Sequence, residues 1–242
     1  MENSKNPEKS KNTSKIVRIV SIVAILIVVI AAMIVGLSHN NSEGHKVWDE
    51  QTTVGNLEAE NHFIIYSDIV CPYCVAFENA IIENEDEFQK YIKDNDVLVE
   101  VRLSDFLYEY GQTNPITSRW SAEGVFCAKK EGKFWEYYNH VIPEVWNNYF
   151  SKNGKNAFME LEKLGKDYWI KLGKDIGLGE SFENCVKNDE TLDEVISVAA
   201  KTIKQINGMP YFKFNNYISS GFDLSWGWDY VKMYFDSGLR NK

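Results

Sequence analysis

The apolar positions of this chain are distributed very unevenly. Residues 19–38 (IVSIVAILIVVIAAMIVGLS) carry no charge. At about 1.5 Å per residue such a helix spans roughly 30 Å, the thickness of one bilayer core. Lys5, Lys9, Lys11, Lys15 and Arg18 precede it against only Glu2 and Glu8, whereas the far side reads HNNSEGHK, with no Lys or Arg before Lys46. This asymmetry predicts a basic cytoplasmic tail over residues 1–15, a transmembrane signal anchor over 16–38 and a polar linker over 39–45, with the remainder exported. A cleaved signal peptide is the competing expectation, but its apolar region usually runs about 7 to 15 residues, and Ala31, Ala32 and Met33 make a poor cleavage site. Either outcome delivers residues 39–242 outside the cytoplasm.

Beyond the linker the period changes several times. Residues 46–58 read weakly as an edge strand or hairpin, and 62–70 (HFIIYSDIV), rich in β-branched and aromatic residues, as a buried strand. That strand runs into Cys71-Pro72-Tyr73-Cys74, after which Val75, Phe77, Ala80, Ile81 and Phe88 recur at helical spacing, with Pro72 suited to the first turn. Residues 97–103 (VLVEVRL) form a second strand, so the unit is strand, helix, strand, the arrangement that parallel strands require. From 116 to about 206 the pattern is helical. Phe134, Tyr138, Val141, Val145 and Tyr149 share a face, as do Phe158, Leu161, Leu164, Tyr168 and Leu172, and then Leu192, Val195, Ile196, Ala199 and Ile203. Pro143 predicts a break or kink near Ile142. After Gly208, strands follow at 211–214 and 217–219, and the chain closes on a helix whose face is Tyr230, Val231, Tyr234 and Phe235. The expected organisation is an α/β unit over 46–115, an inserted α-helical domain over 116–206, and completion of the α/β unit over 207–242.

Composition narrows the class. With 242 residues, 44% hydrophobic and 25% charged, the chain is neither disordered nor fibrous, and four cysteines are too few for a disulfide-dense scaffold. The net charge of −9 divides into +3 for residues 1–38 and −12 for the rest. An acidic body argues against nucleic acid as the main ligand. Export places all four cysteines in a disulfide-permissive compartment.

A Cys-x-x-Cys at a strand-to-helix junction sets the first sulfur at the positive end of the helix dipole, among unpaired backbone N–H groups. This favours thiolate over thiol, so the Cys71 pKa is expected to fall from about 8.5 into the range of roughly 3.5 to 7.5. Cys71 then serves as the exchange point and Cys74, one turn on, resolves the mixed disulfide. Cys-x2-Cys is also half of a structural zinc site, but Cys127 and Cys185 lie 58 positions apart with no Cys or His within five residues of either. A purely structural disulfide at 71 and 74 would close too small a loop to stabilise much.

Residues 46 to about 240 resemble the DsbA family of thioredoxin-fold proteins with an inserted helical domain. The resemblance rests on FIIYSDIV entering CPYC, on FCAKKEGKFWEYY within the helical region, and on GMPYF before the last hairpin. CPYC alone also occurs in glutaredoxins, but 136 positions separate Cys74 from Pro210, far more than a compact glutaredoxin or plain thioredoxin has. With its anchor and second cysteine pair, the chain looks most like membrane-tethered members of Gram-positive bacteria, especially actinobacteria. The resemblance implies that Pro210 is the cis-proline facing the active-site cysteines, that the Met209 backbone pairs with a substrate strand, and that Pro72 and Tyr73 tune the first thiolate and contact substrate. It also implies a Cys127–Cys185 disulfide, with two buried free thiols as the alternative. Two departures stand out. Met209 occupies a position where Val or Thr is common, and Ile65 one where thioredoxins carry a buried acid used in proton transfer. Asp68, the nearest acid, is either a helper in that step or a solvated strand-end carboxylate.

The reading that follows is a membrane-anchored extracytoplasmic thiol:disulfide oxidoreductase, expected as a monomer, that donates disulfides to unfolded exported proteins with free cysteines. Its reoxidation calls for a quinone-linked membrane oxidase, DsbB-like or vitamin K epoxide reductase-like; no metal or organic cofactor is expected. The alternatives are an isomerase or reductase kept reduced, and a chaperone-like binding module in which CPYC is incidental. His140 reads as a helix residue rather than a ligand. Phe134, Trp135 and Tyr138, and Trp226, Trp228 and Tyr230, read as core and interdomain packing, with some available to line an apolar groove for substrate.

Overall fold

A computed structural model of the protein describes residues 46–111 and 114–241. The predicted tail, anchor and linker lie outside these residues. Among the described residues no helix is long and apolar enough to cross a membrane.

Five strands form one sheet in the order β1-β3-β2-β4-β5: β1 (Thr53–Gly55), β2 (Asn61–Ser67), β3 (Val97–Leu103), β4 (Tyr211–Phe214) and β5 (Tyr217–Ser220). The central strands β2 and β3 are buried along their whole length, with apolar residues predominating and Glu100 paired internally with His62 and Arg102. They pair in parallel from Asn61 opposite Val97 to Ser67 opposite Leu103. The crossover between them is supplied by α1 (Pro72–Ile82) and α2 (Glu85–Asp94). β4 pairs antiparallel with β2, and α9 (Trp228–Arg240) packs near that end of the sheet, where Phe63, Phe77, Phe212, Phe214 and Phe235 form an aromatic core.

The remaining helices are α3 (Phe106–Tyr110), α4 (Ile116–Lys130), α5 (Phe134–Val145), α6 (Lys166–Asp175), α7 (Glu180–Lys187) and α8 (Leu192–Thr202). Val125, Tyr137, Val141, Trp169 and Phe182 lie in their shared core, and Ile69, Val70 and Val75, which flank the CPYC sequence, are buried in that same cluster. The insertion therefore packs directly against the segment that carries the cysteines. Cys127 on α4 and Cys185 on α7 are joined by a disulfide, with S–S 2.04 Å and both residues buried. By loop-closure entropy, a bridge across a separation of 58 residues contributes about 4 kcal/mol.

Several boundaries differ from the sequence pattern. β2 ends at Ser67 rather than at residue 70, because Asp68 turns the chain: the Val70 N–H donates to Asp68 Oδ1 (2.9 Å) and the Cys71 N–H to the Asp68 carbonyl (3.0 Å). The helix expected to include Phe88 is two helices. Asn84 sits between them, its amide donating to the Ala80 carbonyl, and Glu85, Asp86 and Glu87 favour a new N-terminus there. Pro143 does not break α5, which continues to Val145; burial of Tyr138, Val141, Ile142 and Val145 holds that face to the core, and the irregularity falls later, in a π-helical turn at Trp146–Phe150. The face drawn from Phe158 to Leu172 is split into a short turn at Phe158–Leu161 and α6, with Gly165 capping the latter. Ile196 and Tyr230 are exposed, outside the core faces assigned to them.

Candidate active site

β2 brings the chain to Ser67, the Asp68 turn redirects it, and Cys71 caps α1 in an extended conformation. Pro72 occupies the first helical turn, where it sacrifices no hydrogen bond. No side chain caps this terminus, so first-turn N–H groups and the positive end of the dipole remain available to the Cys71 sulfur. Cys71 and Cys74 are free thiols, 4% and 1% exposed. Both are buried; Cys71 stands at the helix end and Cys74 one turn inside it.

Burial pushes the Cys74 thiol well up, and its bond to Cys71 and the charges of Cys71 and Glu78 push the same way; a backbone hydrogen bond from Asp68 opposes them. A Cys74 thiolate is thus costly and needs a nearby proton acceptor when it attacks, or a donor when it leaves. Glu78, one turn along α1, is 3% exposed, and burial pushes its carboxyl up to about 7, a shift that the neighbouring Ser67 and Tyr138 hydroxyls only partly offset. Neither Glu78 oxygen, nor the Ser67 or Tyr138 hydroxyl, completes a hydrogen bond. Glu78 and Tyr138 line a cavity of about 170 Å³ whose other walls include Ile65, Ile82, Val101 and Trp135. Such a space is large enough for water to reach the acid. The position occupied by Ile65 offers no acid, and the same cavity receives one from α1 instead. The sequence contained the signal: Glu78 is a lone carboxylate among the apolar positions of PYCVAFENAII.

The Met209–Pro210 bond is cis, and Tyr211 directly after it pairs with Tyr66. The register sets Pro210 beside the end of β2 that leads into Cys71. Pro210 is buried, while Met209 is half-buried and packs against the Ile64–Tyr66 cluster on one side of the sheet. Pro72 and Tyr73 are also half-buried, and Tyr73 packs at the edge of the aromatic core. Cys71, Cys74, Pro72, Tyr73, Met209 and Pro210 thus belong to one end of the sheet, whereas Cys127 and Cys185 lie in the core of the insertion. His140 is half-buried and 4.0 Å from Asp175. Trp226 stacks on Tyr230 at 4.6 Å, and Phe134 on Tyr138 at 5.5 Å. Asp68 is fully buried, which overturns a solvated strand-end carboxylate.

A free thiol pair at a helix N-terminus, next to a cis-proline loop, defines a thiol–disulfide exchange site on a thioredoxin-like α/β scaffold. Residues 48–221 match the family described as Thioredoxin, and the chain belongs to that family. No curated protein matches the chain. Among solved structures it is similar to a thioredoxin-like oxidoreductase from Silicibacter pomeroyi (16% identity, 80% of this chain and 95% of that one, TM-score 0.54). It is also similar to the thiol-disulfide exchange protein alpha-DsbA2 from Wolbachia pipientis (16% identity, 86% and 97% covered, TM-score 0.53). A protein-disulfide isomerase from Novosphingobium aromaticivorans matches at 15% identity, with 77% and 96% covered and TM-score 0.51. At these identities the likeness is one of fold.

Proposed function

We propose that the protein is an extracytoplasmic thiol:disulfide oxidoreductase that donates disulfide bonds to exported proteins as they fold. The observation that carries this reading is the asymmetric thiol pair: Cys71 at an uncapped helix N-terminus, Cys74 buried one turn below it beside Glu78. With the pair oxidised, a substrate thiolate attacks the Cys71 sulfur. The Cys71–Cys74 bond breaks, a mixed disulfide forms, and Cys74 departs as a thiolate that takes a proton from the neutral Glu78 carboxyl. A second substrate thiolate then attacks the substrate sulfur of the mixed disulfide and expels Cys71. Two electrons pass from the substrate dithiol to the protein, and the substrate gains its disulfide. The first turn of α1 carries no side-chain cap beside Cys71, and a pair whose reduced form is stabilised relative to its disulfide is oxidising.

Residues 16–38 anchor the protein in the membrane, in this reading, and a quinone-linked membrane oxidase restores the disulfide. Pro210 and Met209 shape the approach of substrate. Rapid acid quenching of living cells, followed by alkylation, reads the state of Cys71 and Cys74. A mostly oxidised pair is the expected result; a mostly reduced pair identifies an isomerase or reductase instead.

A further inference from the structure

We propose that Asp68 is a positioning residue for thiol exchange, its carboxylate tying the loop that presents Cys71 to the inserted helices. The inference deepens the reading of Cys71 and Cys74 as an exchange pair and rests on it. The Asp68 side chain is fully buried and accepts three hydrogen bonds from three parts of the chain. Oδ1 accepts from the Val70 N–H (2.9 Å) within the catalytic turn. Oδ2 accepts from the Leu107 N–H (2.9 Å) on α3 and from the Ser118 hydroxyl (2.7 Å) on α4. Meanwhile the carbonyl of the same residue accepts from the Cys71 N–H, and its backbone opposes the upward shift of the Cys74 thiol. Asp68 is therefore a junction between the reactive sulfurs and the insertion.

The donor set calls for a carboxylate in particular. Donors face both oxygens, so an asparagine would turn its NH2 group either against the Val70 N–H or against Leu107 and Ser118. No cation is among the three donors. Arg119, next to Ser118, is engaged by Asp105 (2.8 Å) and Glu109. Leaving a buried carboxylate without a counter-ion is costly, and a surface turn would not require it. The acids around it are Asp105, whose charge raises the Asp68 pKa, and Glu78, whose own pKa the Asp68 charge raises. Burial pushes the Asp68 carboxyl up to about 6, against the bonds from Leu107, Ser118 and Val70. Protonation adds an O–H where only acceptors are needed, so the tie weakens as pH falls through that value.

The test compares the full chain with Asp68→Asn and Ser118→Ala, each oxidised and then reduced by dithiothreitol at temperatures well below its melting point, from about pH 4.5 to 8. Asp68→Asn is expected to slow exchange about tenfold to a hundredfold at pH 7.5, the range a small misplacement of reacting groups produces. Its rate relative to the unaltered chain should rise toward one below pH 6, as the carboxyl of the latter protonates. Ser118→Ala, which removes one donor and adds no clash, should show the same trend at smaller amplitude. A folded Asp68→Asn protein with reduced melting temperature but unchanged rate and unchanged pH dependence overturns the proposal; if that variant fails to fold, an unchanged rate ratio at every pH for Ser118→Ala does so. Failure of the unaltered chain to exchange at all would overturn the oxidoreductase reading instead.

Discussion

Cys71→Ala is expected to abolish disulfide transfer to a reduced peptide, lowering the rate by at least about a thousandfold, the scale on which removal of a reacting nucleophile acts. Cys74→Ala has a different outcome. Its Cys71 still reacts with an activated substrate disulfide, but no second thiol remains to resolve the adduct, so a covalent Cys71–substrate complex accumulates. The difference follows from the geometry. Cys71 is the N-cap residue of α1, whereas Cys74 is buried one turn inside the helix and its thiol is pushed well up by burial. Non-reducing electrophoresis of the two variants after incubation with one substrate separates them. A trapped complex with Cys71→Ala, or none with Cys74→Ala, would reverse the assigned roles.

Folding stability should be higher at pH 5 than at pH 8, by several kcal/mol. Burial pushes Asp68 up to about 6 and Glu78 and Glu123 up to about 7. Glu123, on α4, is buried with neither carboxyl oxygen hydrogen-bonded, and the nearby Asp189 adds to its shift. For each group the folded-state pKa lies above the unfolded value near 4, so the folded chain binds protons that the unfolded chain has released. The stability gained from that binding is complete below about pH 4 and is lost as pH rises through 6 to 7. Shifts of two or more units correspond to roughly 3 kcal/mol per group as an upper figure. Glu100 works in the opposite sense, since bonds from His62 and Arg102 outweigh its burial, and exposed pairs such as Glu183 with Lys174 are screened. Urea unfolding midpoints at the two pH values measure the balance. Equal midpoints would mean that these three carboxyls are not desolvated as the packing implies.

The strands and the placement of the cysteine pair were legible because their signals are local. β3 begins and ends where its run of apolar residues does, and CPYC follows β2 with proline where a helix begins. What could not be read depends on contacts across the fold. Pro143 is tolerated because Val141, Ile142 and Val145 meet a core built largely from other segments, which no property of residues 139–145 reveals. Asp68 resembles a solvated residue ending a strand until Leu107 and Ser118, 39 and 50 positions on, supply its donors. Glu78 was visible as a charge in an apolar helix, but its relation to the cavity shared with Ile65 required the packing of α1 on the sheet.

The central claim is that this thiol pair is poised to give up its disulfide. It is tested most directly by the reduction potential of Cys71–Cys74 in the full chain, equilibrated with glutathione buffers of known ratio. The account predicts a value above about −200 mV, on the oxidising side of the glutathione couple in an extracytoplasmic setting. A value near the roughly −270 mV of thioredoxin would contradict it and make the protein a reductant.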